Sequence, residues 1–277
     1  MKAKTYLELS FSVSEQQQEL LIAFLSQFGF EGFWEDNKVL KAYVEKEKWN
    51  ENSHSLLKEQ FPEIQFSISE IPNQDWNKEW ENSIEPILAT EKILVRPSWK
   101  KVENNDGKLV ITIDPKMSFG TGHHETTRLM LQLMEKYVKP NDFVLDLGTG
   151  TGILAIAAIK LDAKKCIAVD NDEWSIENTK ENVVVNKVEN LIDVFHGTIE
   201  TVRENNFDVI LANIQSSIIL PILPIMISKI KPNGKILLSG LLKEEREKIL
   251  FSLSETSLNV NEEISENEWI AFCVIRN

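Results

Sequence analysis

The chain has little cysteine, no long apolar run and no concentration of positive charge. Two cysteines in 277 residues cannot make the disulfide framework of a small secreted domain. Cys166 and Cys273 both sit in apolar, strand-like runs and read as small core residues of a reducing compartment. No stretch approaches the ~20 apolar residues of a membrane helix. The N-terminal "MKAKTYLELSFSV" alternates apolar and polar residues in place of a signal-peptide core, so the expected location is the cytoplasm. Acidic residues number 43 against 30 basic ones, and the net charge of −13 comes without any basic tract. That balance argues against broad binding to nucleic-acid backbones. It suits a basic protein partner, because complementary fields speed encounter, and it equally serves solubility alone. There is no internal repeat and no low-complexity segment.

What is present is ordinary globular material, 42% hydrophobic and 26% charged, in a length that predicts one small and one large domain. In residues 1–72, "TYLELSFSV" puts Leu7, Leu9, Phe11 and Val13 on one face of a strand. A helix follows, with Ser14 as its cap, a stripe of Leu20, Leu21, Phe24, Leu25 and Phe28, and Gly29 at its end. "FEGFWED" and "VLKAYVEK" flank Asn37 as a hairpin, and a polar helix then leads to the alternating strand "EIQFSIS". Strand, helix, strand, strand, helix, strand is the ferredoxin-like order. Residues 73–85 predict a linker helix on which Trp76 and Trp80, four apart, share one face. "KILVRPSW" and "KLVITIDP" are strand-like runs on either side of the turn "ENNDG".

The remainder of the large domain, residues 86–277, alternates helices with buried strands. Helices are expected over 123–137, 152–161, 172–186, 216–230 and 243–254. "FVLDL", "CIAVD", "LIDVF", "FDVILAN" and "KILLSG" are apolar throughout, as the strands of a parallel sheet covered on both faces must be. "LNVNEEI" and "WIAFCVI" follow without a helix between them, which predicts a terminal antiparallel hairpin on that sheet.

In "FVLDLGTGTGILAIAAIKL" a strand runs into Gly148, Gly150 and Gly152 and then into a helix of small apolar residues. Glycines there let the backbone turn sharply and approach a ligand. A dinucleotide register, G-x-G-x-x-G/A, fails when counted from Gly148 and fits when counted from Gly150, so spacing alone does not choose a cofactor. The acids choose. Asp146, two residues before Gly148, would repel a pyrophosphate and can accept from an ammonium group. Asp170 closes the next strand, where a carboxylate can accept both ribose hydroxyls. Two acids beside a glycine turn describe a pocket for S-adenosylmethionine. Asn213, closing "FDVILAN", can accept from an attacking amine and orient its lone pair; the alternative is a helix cap.

Thirty residues before the glycine turn stands "MSFGTGHHETT", residues 117–127. His123, His124 and Glu125 suggest metal, but adjacent histidines diverge on a helix and no further ligand cluster accompanies them. A phosphate cradle would want a lysine after its glycines, and none is there. Together with "DLGTGTGILAIAA", "VDND", "LANI" and the upstream "DWNKEW" and "PSW", the segment resembles the methyltransferases of the eleventh large-subunit ribosomal protein, over the whole chain. The resemblance implies a Rossmann-like class I methyltransferase sheet, with the small domain gripping the substrate. It implies methyl transfer from S-adenosylmethionine to lysine ε-amines and an N-terminal α-amine of a basic ribosomal protein; a monomer is expected. Cofactor contacts carried over by motif are Thr127, Gly148, Asp170 and Asn213, beside Asp146 and Gly150 from the residue reading. "GTGHHETT" then folds over the cofactor, its glycines as hinges. Where the family usually continues "ANI" with Leu-Ala, this chain has Gln215 and Ser216, which leaves methylation extent and target choice open.

Methyl transfer is an in-line displacement, so the protein must align a neutral amine and exclude water; no obligatory general base is expected, His124 being the weakly supported exception. The competing readings are a class I methyltransferase acting on another protein, RNA or a small molecule, a dinucleotide oxidoreductase, and a non-catalytic module that keeps the pocket.

Overall fold

The computed structural model describes residues 5–36, 38–71, 84–102, 106–116 and 118–277. The Trp76–Trp80 segment, Asn37 and part of "ENNDG" lie outside them. The chain divides into two compact units, 1–83 and 84–277.

In the first unit β1 (Tyr6–Ser12), β2 (Phe30–Asp36), β3 (Val39–Glu45) and β4 (Phe66–Ile71) form one antiparallel sheet in the order β2-β3-β1-β4. Helices α1 (Glu15–Leu25) and α2 (Glu51–Gln60) connect its strands. Alternation along β1 buries Leu7, Leu9 and Phe11, which pack with Leu21, Leu25, Leu40 and Leu57 into the unit's own core. Gly29 takes φ +78° after a short 3-10 turn, ending the helical segment as its sequence position suggested. This is the ferredoxin-like arrangement.

The second unit begins with a small sheet of β5 (Ile87–Leu88), β6 (Ile93–Arg96) and β7 (Leu109–Thr112). β6 and β7 pair in parallel, so "ENNDG" lies within a crossover and not at the tip of a hairpin. Then come α3 (Glu125–Tyr137), β8 (Phe143–Leu147), α4 (Ile153–Lys160), β9 (Lys165–Asp170), α5 (Glu173–Val185), β10 (Ile192–His196), β11 (Phe207–Asn213) and α6 (Ser216–Lys229). β12 (Ile230–Leu242), α7 (Arg246–Ser254), β13 (Leu258–Glu266) and β14 (Trp269–Arg276) complete the chain. The seven-stranded sheet runs β10-β9-β8-β11-β12-β14-β13. Its first five strands are parallel, and β14 lies antiparallel between β12 and β13 as the expected terminal hairpin. β12 is longer than "KILLSG" implied, because Ile230, at its start, already pairs with Phe207 before a break in register.

Successive residues of the central strands face opposite cores. Val144, Val209, Leu211 and Leu237 pack with α3 and α4; Leu145, Leu147, Ile210, Ala212 and Leu238 pack with α6 and α7. Cys166 and Cys273 are buried free thiols, and desolvation pushes both above the ordinary thiol range.

β7 occupies one edge of its small sheet, and its outer side is met by side chains. Asn186 donates to the Thr112 carbonyl at 2.6 Å and accepts its N–H at 3.0 Å. Asn182 accepts the Asp114 N–H at 2.9 Å and donates to the Thr151 carbonyl at 2.9 Å, while Asn178 donates to the Asp114 carbonyl at 2.8 Å. Three asparagines one helical turn apart, two on α5 and Asn186 as its C-cap, thus hold this segment, and Asn182 ties it to the loop after β8.

Candidate active site

The strand order reverses between β8 and β11, where open parallel sheets bind ligands beyond the carboxyl ends of their strands. Gly148, Gly150 and Gly152 follow β8 at φ +69°, +56° and +83°, a left-handed series that other residues rarely adopt. A Cβ on Gly148 would stand 2.5 Å from Ile214 Cγ2, and one on Gly150 would run into the carbonyl oxygen of Phe119. Residues 118–122 lie directly on this turn. The Thr151 N–H donates to the Phe119 carbonyl at 2.9 Å, and Thr151 Oγ1 donates to the Gly120 carbonyl at 2.7 Å. The two glycine clusters of the sequence are therefore one packed object.

Beside it opens a cleft of about 450 Å³. Its wall takes Gly148 and Gly150 from the turn, Asp170, Asn171 and Ser175 from the β9–α5 junction, and Asn213, Ile214, Gln215 and Ile218 from β11 and α6. Phe119, His124, Thr126 and Trp269 also line it. An adjoining chamber of about 200 Å³ shares Gly148, Asp170, Asn171, Ile214 and Ile218 with the cleft, and adds apolar lining from Leu147, Val169, Ile199 and Ile222.

Each residue singled out in the sequence can now be placed. Asp170 ends β9 and lines both spaces; its Oδ2 accepts the Gly150 N–H at 2.9 Å and its Oδ1 the Asp172 N–H at 3.1 Å. Asn213 lines the cleft, and its Oδ1 is buried without a hydrogen-bond partner. It does not cap α6, whose N-cap is Gln215. Thr127 is fully buried on α3, with Oγ1 also unpartnered, while its neighbour Thr126 reaches the cleft wall.

Asp146 was expected over the crevice; the structure places it beneath the glycine turn, fully buried and absent from the cleft wall. Its Oδ2 accepts from Thr149 Oγ1 at 2.7 Å and from the Ala155 N–H at 3.1 Å, and its Oδ1 has no partner. Burial pushes its pKa up to about 7, the Asp170 charge adding to the rise and the two hydrogen bonds opposing it. The folded state therefore keeps a proton that the unfolded chain releases near pH ~4. This contribution to stability is full below that pH and is lost as pH rises through about 7. Urea titrations should show wild type losing stability relative to Asp146→Asn between pH 4.5 and 7; a constant difference across that window would rule the titration out.

His124 is the N-cap of α3, its Nδ1 accepting the Thr126 N–H at 3.3 Å. Its ring stands between two others, with centroids 5.2 Å from Phe119 and 5.0 Å from Trp269, both edge-on. His123 is exposed, and among the described residues no group of three or more His, Cys, Asp or Glu side chains could hold a metal ion. Trp269 is the lining residue that sequence reasoning missed. It comes from the first position of β14, and nothing in the local pattern "NEWIAFCVI" says that the strand begins at a ligand. Phe119 lay inside the quoted motif but carried no chemical signal of its own.

The ribosomal protein L11 methyltransferase (PrmA) family model matches residues 10–277 of the chain. The chain belongs to this family. It is 38% identical over 283 aligned residues to a ribosomal protein L11 methyltransferase of Chlorobaculum tepidum, covering 99% of this chain and 97% of that protein. It is 35% identical over 245 residues to one from Acetivibrio thermocellus, covering 85% and 78% respectively. The crystal structure of a ribosomal protein L11 methylase from Lactobacillus delbrueckii subsp. bulgaricus superimposes with a TM-score of 0.65 at 30% identity, covering 70% of this chain and all of that one. Against the usual L11 methyltransferase continuation after "ANI", the two departing residues separate in space. Gln215 lines the cleft, whereas Ser216 is buried with its hydroxyl donating to Glu245 at 2.5 Å, so Gln215 alone of the two borders the ligand space.

Proposed function

We infer that the chain methylates ribosomal protein L11, transferring methyl groups from S-adenosylmethionine to lysine ε-amines and the N-terminal α-amine. Family membership carries the reaction. The observation that carries the site is the crevice itself, bordered by the glycine turn, Asp170 and Asn213, whose side-chain oxygen has no partner.

The residues fit the cofactor. Each Asp170 oxygen accepts one backbone N–H and keeps a lone pair for a ribose hydroxyl. The absence of a Cβ at Gly148 and Gly150 lets Ile214 and the Phe119 carbonyl pack onto the turn, and both glycines border the cleft. The apolar chamber beyond Asp170 suits a flat, uncharged base. Among the described residues no lysine or arginine lines either space, which disfavours a pyrophosphate and the dinucleotide reading. Asp146 acts from below, holding the turn through Thr149 and Ala155. Thr127 would contribute its free hydroxyl only from within α3.

When bound, S-adenosylmethionine supplies a methyl group on an already cationic sulfur. What remains for the chain is placement. Asn213 Oδ1 accepts an N–H of the incoming neutral amine and turns the nitrogen lone pair toward the methyl carbon. The aromatic wall of Phe119, His124 and Trp269 displaces water. As the new N–C bond forms and the S–C bond breaks, the nitrogen becomes cationic and releases its proton to solvent at the cleft mouth. The lysine proton that must leave beforehand, with a pKa of ~10.4 in water, needs no dedicated base at that mouth. Residues 1–72 form the substrate-gripping unit, and the acidic chain complements a basic substrate.

Incubating the protein with methyl-labelled S-adenosylmethionine and total ribosomal proteins tests the reading. Label on L11 is expected, with Asn213→Ala reducing the rate by about 100-fold at saturating cofactor, the scale of a lost alignment. Label on RNA or another protein, with L11 unmodified, would overturn the substrate assignment.

A further inference from the structure

The turn between β13 and β14, which delivers Trp269 to the cleft, is fastened to the first turns of α3 by a single cluster. Arg128 on α3 grips Glu266 with its fork: Nε lies 3.1 and 3.2 Å from the two carboxylate oxygens and Nη2 lies 2.5 Å from Oε1. The remaining arm of the same guanidinium donates to the His123 carbonyl, in the segment that leads into His124. Glu125 completes the fastening, accepting from Asn267 Nδ2 at 3.0 Å and standing 3.6 Å from Arg128. The Arg128 and Glu266 side chains are 17% and 34% exposed, so the pair is screened less than an ordinary surface ion pair. A bidentate arginine also fixes direction as well as distance, which a lysine would not do.

The two pieces so joined carry the two neighbouring rings of the aromatic wall. His124 sits four residues before Arg128, and Trp269 three after Glu266. Their 5.0 Å ring contact spans the junction. Neither Arg128 nor Glu266 lines the cleft, and neither holds the glycine turn or Asp170. The cluster meets the cleft through the residues it fastens, His124 and Trp269.

We propose that Arg128 and Glu266 are a positioning pair for the methyl-accepting amine: they hold in place the His124–Trp269 wall of the cleft that Asn213 also lines, so that each incoming amine meets the methyl group in line. This rests on the reading of the cleft as the amine site. Placement matters most when the acceptor already carries methyl groups, because fewer N–H bonds to Asn213 then remain and the wall must supply the alignment. The pair thus governs how far methylation proceeds as well as how fast.

The test compares full-length wild type, Glu266→Ala, Glu266→Gln and Arg128→Lys, with Asn213→Ala alongside. Cofactor affinity is read by calorimetry, kcat and KM with L11 as substrate, and the methylation states of the product by mass spectrometry. Glu266→Ala is expected to leave cofactor affinity within twofold, lower kcat at least tenfold with a smaller change in KM, and shift product from the higher to the lower methylation states. Glu266→Gln and Arg128→Lys, which keep one arm of the contact and the shape of the turn, should fall between it and wild type; they carry the comparison if the alanine variant does not fold. Unchanged kcat and product states in the Glu266 variants, with Asn213→Ala impaired, would overturn the clamp and leave the amine site standing. Normal turnover in Asn213→Ala as well would overturn the amine site and the clamp with it. Cofactor affinity falling in step with kcat would show that the cluster serves the glycine loops and would overturn the proposal.

Discussion

Gly150→Ala should abolish cofactor binding while leaving the protein folded. The residue sits at φ +56°, where a side chain costs about 1–2 kcal/mol in backbone strain alone. That cost is modest. The larger effect is steric, because the new Cβ would meet the Phe119 carbonyl oxygen, which is backbone and cannot rotate aside. Residues 118–122 must then lift, breaking the Thr151 bonds to Phe119 and Gly120. The Gly150 N–H would also turn away from Asp170, freeing the carboxylate that is to meet the ribose. We expect cofactor affinity to fall by at least 100-fold by calorimetry, equivalent to about 3 kcal/mol or more. Gly107 supplies the control, since it has a similar φ of +74° and nothing within 4 Å of an added Cβ. Gly107→Ala should cost stability only. Equal losses of affinity in the two variants would show that strain, not the packing of one loop on the other, decides binding.

The second large effect is expected from removing residues 1–83. Each unit buries its own core: Leu9, Phe11 and Leu40 in the first, and the two faces of the seven-stranded sheet in the second. The described residues that line the cleft and its side chamber lie between 119 and 269, within the second unit. The truncated chain should therefore bind S-adenosylmethionine within about twofold of the full chain, yet methylate L11 at least ~10³-fold more slowly. The scale follows from entropy: without a gripping unit, a specific lysine must find the cleft as a free solute, and well-oriented placement is worth about 7–11 kcal/mol in favourable cases. L11 methylated by the truncated chain at the full rate would remove the substrate-gripping role from the first unit.

How much of this could be read from the residues alone depended on whether the signal was local. The parallel sheet announced itself because buried strands are apolar on both faces, and the glycine turn because left-handed backbone next to a helix calls for glycine. The terminal hairpin followed from two strands with no helix between them. Asp146 was identified but placed on the wrong side of its loop, since a sequence gives the residue's position along a strand and not whether the following turn will close over it. Here Thr149 and Ala155 close over it. The parallel pairing of β6 with β7 was hidden by a turn-rich "ENNDG" that serves a crossover. Trp269 and the Arg128–Glu266 pair were beyond reach, because each depends on bringing the far end of the chain to α3, a contact of tertiary origin with no periodic signature.

The asparagines of α5 have a consequence for how this chain can change over time. On the segment after β6, Asn178, Asn182 and Asn186 meet peptide groups of Thr112 and Asp114 and no side chain, and every residue except proline offers such groups alike. Side chains along that strand are therefore free to drift as far as their packing allows, without losing the attachment. The three amides are not free, since aspartate cannot donate and leucine can neither donate nor accept. Mutational tolerance is thus distributed unevenly across a single contact, with the helix as the constrained partner and the strand as the permissive one.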